Sequence, residues 1–497
     1  MAESGLIAAV FGSGVAPVRV LALIIIFYNL LMMFYNLVVH PLRSYPGPLF
    51  NRISRFPRVY WQLTGQLPFR VRELHDRYGT IIRLGPNELA FRDPVAWKDI
   101  YGRRANGDEM PPEHNYYHFG DEGSTSMLGA EKEEHDRLRR YIAPGFSERA
   151  IREQEPVIGG YVDLLIQRLQ ERCDEKVDMT AWLNYTTFDI IGYLSFGSDF
   201  GCLENADYHP WVKLINGAVK DLGKMNGLAY LGLAPMLKAV VKWANLGLEQ
   251  RQMHERLTDQ KLKQRLAMGG GKTDFIQGFI DQNVSFDKLK SNASVIIIAG
   301  SETTATLLTG AMFLLATHRN VLEKLNQEVR SRYKDEKDIT ITSTNGLSYM
   351  LACLNEALRC YPPVAWALPR SVPKGGGLIA GQHIPENTIV GIWQWAMFRS
   401  PTLFYEPDEF HPERFLRKDP RFVNDKLDAV QPFILGPRNC IGQNIAYAEM
   451  RLILAKLIWN FDFHIADDSR DFLKAQKIYL LWDKPRLNIH LAPVCRR

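Results

Sequence analysis

The chain has 497 residues, of which 46% are hydrophobic and 23% charged. That is ordinary globular composition, so a disordered, collagen-like or polytopic membrane chain is excluded, and a large core is affordable at this length. Lys+Arg total 60 against Asp+Glu 55, a formal charge of +5, too small an excess to argue for nucleic-acid binding. Six cysteines without a CxxC pair exclude a secreted disulfide scaffold and a zinc ribbon. Length alone predicts about three domains.

The first element is Val20–Val39, VLALIIIFYNLLMMFYNLVV, which has no charge and only two amides, Asn29 and Asn36. As a helix it spans ~30 Å, the hydrocarbon thickness of a bilayer. A secretory signal has an apolar stretch of ~7–15 residues followed by small residues; this run is longer and ends in bulky side chains. It reads as a retained transmembrane anchor, with residues 1–19 as a short lumenal tail. Arg19 precedes the run, whereas Arg43, Arg52, Arg55 and Arg58 follow it. Positive charge marks the cytosolic side, so the body faces the cytosol. The sequons at Asn184, Asn283 and Asn292 are then coincidental. His40–Pro48 is proline-rich and predicts a stiff, extended spacer. Residues 49–497 follow without a flexible linker and read as one large domain.

Within that domain Thr80–Leu84 and Glu88–Phe91 flank Gly85-Pro86-Asn87, which predicts a hairpin. A second strand pair is expected around Gly381, between LIAG and TIVGIW. Apolar residues at three- and four-residue spacing predict helices over Ala150–Glu171, Leu246–Leu266, Asp287–Thr317 and Val321–Tyr333. A helix ending before Pro362-Pro363 and another over Asn444–Trp459 complete a mainly α body with small β-sheets.

Phe433-Ile-Leu-Gly436-Pro-Arg438-Asn-Cys440-Ile-Gly442 is the most informative segment. A lone cysteine is usually a small buried hydrophobe. Here two glycines allow close backbone approach to a flat ligand. Arg438 can pair with a carboxylate at the ligand's rim, and the following helix start favours a thiolate. FxxGxRxCxG, with Ala446 in its usual place, resembles the haem-binding loop of cytochrome P450 enzymes. The resemblance implies a cytochrome P450-like fold behind one transmembrane helix. It also implies haem b held by Cys440, with Phe433 and Arg438 among the cofactor-binding residues.

Three further motifs follow the family's order. Glu356-Ala-Leu-Arg359 alone reads as a surface pair at i,i+3. With Pro412-Glu-Arg414-Phe415 downstream, the resemblance implies a buried structural network of Glu356, Arg359 and Arg414. Ala299-Gly300-Ser-Glu302-Thr303-Thr304 predicts an interruption of the long helix, since Gly and back-bonding hydroxyls weaken and bend helices. The family's acid–alcohol pair maps to Glu302 and Thr303, the expected catalytic residues for proton delivery. His135 and Arg139 stand at i,i+4 and otherwise read as a solvated basic face. The resemblance makes them haem-propionate partners, with Arg370 as a further one.

The likeness covers roughly residues 40–490. Segments 66–79, 135–156 and 186–211 resemble fungal microsomal members of secondary metabolism similar to trichothecene C-15 hydroxylases. A monooxygenase acting on a small hydrophobic terpenoid or polyketide is implied, single-pass in the endoplasmic reticulum membrane. No nucleotide-binding fingerprint sits in a suitable βαβ unit. NADPH-derived electrons are therefore expected from NADPH-cytochrome P450 reductase, with cytochrome b5 as a second donor. A haem-thiolate isomerase or dehydratase needing no reductase usually lacks the acid–alcohol pair, and a non-catalytic haem sensor does not require it. Pocket walls are expected from Pro363–Leu368, the Asn106–Met127 loop, Val295–Thr303 and Ile478–Trp482.

Overall fold

The structure is a computed structural model that describes residues 16–104, 107–117, 126–233, 236, 239–240, 248–270 and 274–495. Most of the tail before the anchor, and residues 106 and 118–125 of the 106–127 loop, lie outside the described residues.

Helix α1, Ala16–Phe34, continues into a wider turn over Tyr35–Val39. The 22 residues Val18–Val39 have a mean hydropathy of 2.1 and are almost wholly exposed, as expected of a segment that meets lipid. The last turn departs from a plain anchor. Asn36 is buried, its amide donates to Ile53 O at 3.2 Å, and its carbonyl accepts from Arg83 at 2.8 Å. The proline-rich segment is not extended, contrary to expectation. Successive turns over residues 40–45 bury Leu42, and Pro46 O accepts the Arg83 N–H at 2.7 Å. Local X-Pro stiffness yields here to docking on the first strand.

The body is mostly helical. Helices α2 (Lys132–Ile142), α3 (Glu148–Gln170), α4 (Met179–Phe196), α5 (Phe286–Thr317), α6 (Ser348–Cys360) and α7 (Gln443–Asn460) build the part that carries the site. Helix α5 is apolar and long enough to cross a membrane, but 61% of its apolar window is buried; it is the central core helix. It runs unbroken through Gly300, so the expected interruption is absent. A Cβ at Gly300 would come within 2.5 Å of Ile191 Cδ1. The glycine lets α5 lie against α4, and continuous packing on both sides outweighs the local weakness.

The predicted hairpin forms between β1 (Ile81–Gly85) and β2 (Glu88–Phe91). The second predicted pairing is corrected. Gly377–Ile379 pairs with Gln382–Ile384 instead, and both Ala380 and Gly381 have positive φ, as a two-residue hairpin turn demands. The TIVGIW run forms β4 (Ile389–Ile392), parallel to β2 and antiparallel to β3 (Arg370–Ser371). The sheet order is therefore β1-β2-β4-β3. All four β4 residues are buried, the pattern of a strand covered on both faces. Asn184 and Asn292 are buried and hydrogen-bonded, which explains two of the sequons as structural.

Candidate active site

The cysteine loop enters α7 at Gly442. Ile434 and Gly436 have φ of 57° and 84°. At Gly436 a Cβ would stand 1.9 Å from Tyr101 O, so this position admits only glycine. Cys440 N–H donates to Phe433 O at 2.9 Å, closing the loop on itself. Phe433 packs against Tyr447 with ring centroids 5.3 Å apart. Cys440 is exposed to solvent. The enclosing protein raises its thiol pKa by desolvation, opposed by the Gly442 N–H and by the positive charge of Arg139. Those two groups are what a thiolate ligand needs beside it.

Arg438 donates to Glu109 Oε1 at 2.7 Å and to Ala130 O at 2.8 Å. Its Nη1 is buried without a partner, which leaves one charge-assisted donor for an incoming carboxylate. His135, on α2, is buried. Burial and the charge of Arg438 lower its pKa, so it is neutral at pH 7, and Nδ1 lies 3.2 Å from Asp136 Oδ1. Arg139 reaches across to Asn439, donating to its carbonyl at 2.6 Å and its side-chain oxygen at 2.7 Å. It braces the residue before the cysteine. Arg370 is buried between Tyr101 and Tyr117, with Nη1 donating to the Tyr117 hydroxyl at 2.9 Å. An iron porphyrin fits this donor set: an accessible sulfur, a glycine-lined approach and an unsatisfied arginine nitrogen.

Helix α5 supplies Glu302 and Thr303. The hydroxyls of Ser301 and Thr303 each donate to the carbonyl four residues back, at 2.6 Å. Glu302 Oε1 is ion-paired with Lys484, whose ammonium also donates to Thr306 Oγ1 at 2.7 Å. A cavity of about 170 Å³ adjoins this pair, lined in part by Thr180, Asn184, Tyr208 and Trp482. No residue of the cysteine loop lines it. Trp366 belongs to the core instead, 1% exposed and packed on Trp393.

Glu356, Arg359 and Arg414 meet as expected, and all three side chains are fully buried. Arg359 forks onto Glu356 at 2.7 and 2.8 Å, and Arg414 Nε approaches it at 3.3 Å. Asp425, which no motif marked, pairs with Arg414 and balances the charge. Glu109, Asn439 and Lys484 were likewise unmarked in the sequence. Each is recognisable only by the distant residue it touches.

The family described as Cytochrome P450 matches residues 46–490. The chain is 45% identical to cytochrome P450 monooxygenase tpeC of Talaromyces stipitatus, over 95% of this chain and 94% of that protein. It is 43% identical to the trichothecene C-15 hydroxylase of Fusarium sporotrichioides, covering 94% and 96%. It is also 40% identical to the averantin hydroxylase of Dothistroma septosporum, covering 99% and 93%.

Proposed function

Because this chain belongs to the cytochrome P450 family, we propose that it is a membrane-anchored monooxygenase that hydroxylates a hydrophobic natural product of terpenoid or polyketide class. The names of the hydroxylase relatives support that substrate class. The cofactor is haem b, which activates O₂ with two electrons and two protons to give a hydroxylated product and water. Cys440 Sγ would be its ligand; desolvation raises the thiol pKa, and the Gly442 N–H and the charge of Arg139 oppose that in favour of the thiolate. The unpartnered Nη1 of Arg438 would receive a propionate, with neutral His135 as a neighbour and Arg370 and Arg139 as further positive groups. Phe433 covers the loop side. Glu302 holds and releases protons at its carboxylate oxygens, and Thr303 Oγ1 passes them inward. Glu356, Arg359 and Arg414 keep the loop's surroundings rigid and touch no substrate.

Electrons come from NADPH through NADPH-cytochrome P450 reductase, with cytochrome b5 as a second donor. The apolar helix supports anchoring in the endoplasmic reticulum membrane, with the body in the cytosol. The observation that carries the reading is the accessible Cys440 in a loop that also presents an unsatisfied Arg438 nitrogen. Cys440→Ala tests it: the ferrous–CO complex of the intact enzyme should show the red-shifted thiolate Soret band, and the variant should lose it. Retention of that band removes Cys440 as ligand. Product formed without both NADPH and O₂ refutes the monooxygenase assignment.

A further inference from the structure

Arg438 lies in the cysteine loop, and the acid that balances it stands 329 residues earlier in the chain. Glu109 Oε1 accepts from Arg438 Nε at 2.7 Å, and Ala130 O accepts from Nη2 at 2.8 Å. Both charged side chains are 8% exposed, so bulk water screens neither and their attraction is strong. The backbone about Glu109 is tied down on both sides. Asp108 O accepts from the Arg104 N–H at 2.7 Å, and Lys132, the first residue of α2, donates to Gly107 O at 3.2 Å and to Asp108 Oδ1 at 3.1 Å. Met110 is buried, and Pro111 O accepts from the Ser371 N–H of β3 at 2.9 Å. The fold therefore delivers this carboxylate to Arg438. Glu109 is also within electrostatic reach of Arg370 and His135.

We propose that Glu109 is a positioning residue that orients Arg438 and, as its resident counter-charge, weakens the grip of that arginine on a propionate. This deepens the reading of Arg438 as a propionate partner and rests on it. A guanidinium buried without a counter-charge is destabilising; Glu109 supplies that charge from within the chain. It takes Nε and Ala130 O takes Nη2, which leaves Nη1 as the buried nitrogen without a partner. A propionate at Nη1 then shares one guanidinium with a second carboxylate, and like charges held close oppose one another. Glu109 also offsets positive charge at Arg370, while His135 is neutral and Arg139 has two nitrogens engaged by Asn439. Orientation and counter-charge therefore act in opposite senses on the cofactor: the hydrogen bond to Nε favours its retention, and the charge disfavours it. An amide in place of the carboxylate separates them, because it keeps an acceptor for Nε and removes only the charge.

The test uses the haem-loaded full chain and follows transfer of haem to excess apomyoglobin, a readout independent of turnover. Arg438→Gln should lose haem at least tenfold faster than the parent. Glu109→Gln should lose it at least threefold more slowly than the parent, and Glu109→Ala, which removes the acceptor as well, faster than Glu109→Gln. Loaded instead with haem dimethyl ester, whose propionates carry no charge, Glu109→Gln and the parent should release ligand at rates within twofold. A purely structural role would speed release of both ligands. If Glu109→Gln does not fold, Glu109→Asp serves: its shorter side chain draws the charge back from Nε, and it should release haem at least twofold more slowly, again with the free acid only. In urea, Arg438→Gln should be less stable than the parent, and adding Glu109→Gln should restore at least tenfold in the folding equilibrium, because the acid left buried alone is removed. Haem release from Glu109→Gln, or from Glu109→Asp in its place, at or above the parent's rate overturns the counter-charge role, as does slowed release that persists with the ester. No recovery in the double variant overturns the pair. Parent-like haem loss in Arg438→Gln instead overturns the placement of a propionate on Arg438.

Discussion

Glu356→Gln is the substitution whose cost the structure determines most fully. The carboxylate accepts from Arg359 Nε and Nη2 at 2.8 and 2.7 Å, from Arg414 Nε at 3.3 Å and from His411 N–H at 3.0 Å. All of this lies in the interior, where two arginines face Glu356 and Asp425 and the charges balance. An amide keeps the shape, removes one negative charge and presents two donors to a ring of donors. Breaking one member of a buried ion pair costs about 3–5 kcal/mol. For a body of about 450 residues the unfolding entropy is ~0.9 kcal/mol/K, so the midpoint should fall by about 3–5 °C. Thermal unfolding of the haem-loaded protein, followed by far-UV circular dichroism, measures it. Arg70→Ala is the control, because the Arg70–Glu73 pair is 48% and 61% exposed and should matter by less than about 0.5 kcal/mol after solvent screening. If Glu356→Gln unfolds at the same midpoint as the control, the charge-balance argument is wrong.

Two other substitutions have distinct signatures. Gly436→Ala combines a left-handed backbone with a Cβ 1.9 Å from Tyr101 O, so the loop must shift; the thiolate ferrous–CO band should weaken or vanish while far-UV circular dichroism stays near that of the parent. A full-strength band would show that the loop tolerates the side chain. Glu449, on α7, has its carboxyl pushed up to about 8 by burial alone. A folded-state value above the unfolded one means the native state holds the extra proton. Wild-type stability should therefore fall as pH rises from about 4.5 to about 8 relative to Glu449→Gln, which does not titrate. A stability difference that stays flat across that window would refute the burial argument.

The helices were legible because their signal is local. Ala150–Glu171 was expected and Glu148–Gln170 is found; Asp287–Thr317 was expected and Phe286–Thr317 is found. A 3.6-residue apolar repeat reports a buried face whatever covers it. The cysteine loop was legible for a similar reason, since its glycines, arginine and sulfur sit within ten residues. Pairing was less legible. LIAG and TIVGIW both look like strands, but only the backbone signs at Ala380 and Gly381 show that the chain reverses there, sending Ile389–Ile392 to β2. Gly300 was read as a local weakness in a helix. Its reason is Ile191, more than a hundred residues away in sequence and 2.5 Å from the missing Cβ.

The same distinction separates Glu302 and Thr303 from Lys484. Glu302 and Thr303 announce themselves because they adjoin in a motif. Lys484 stands 182 residues from Glu302, between an aspartate and a proline, in a stretch that sequence marks only as a turn near a strand. Its pairing follows from burial: an ammonium 3% exposed must have a partner, and the partner found is the one acid the motif singled out. The hydroxyl of Thr303, by contrast, faces back along its own helix. A motif therefore gives the identity of adjoining residues but not the partners that each one takes. In this structure the acid pairs with Lys484 while the alcohol bonds within its own helix.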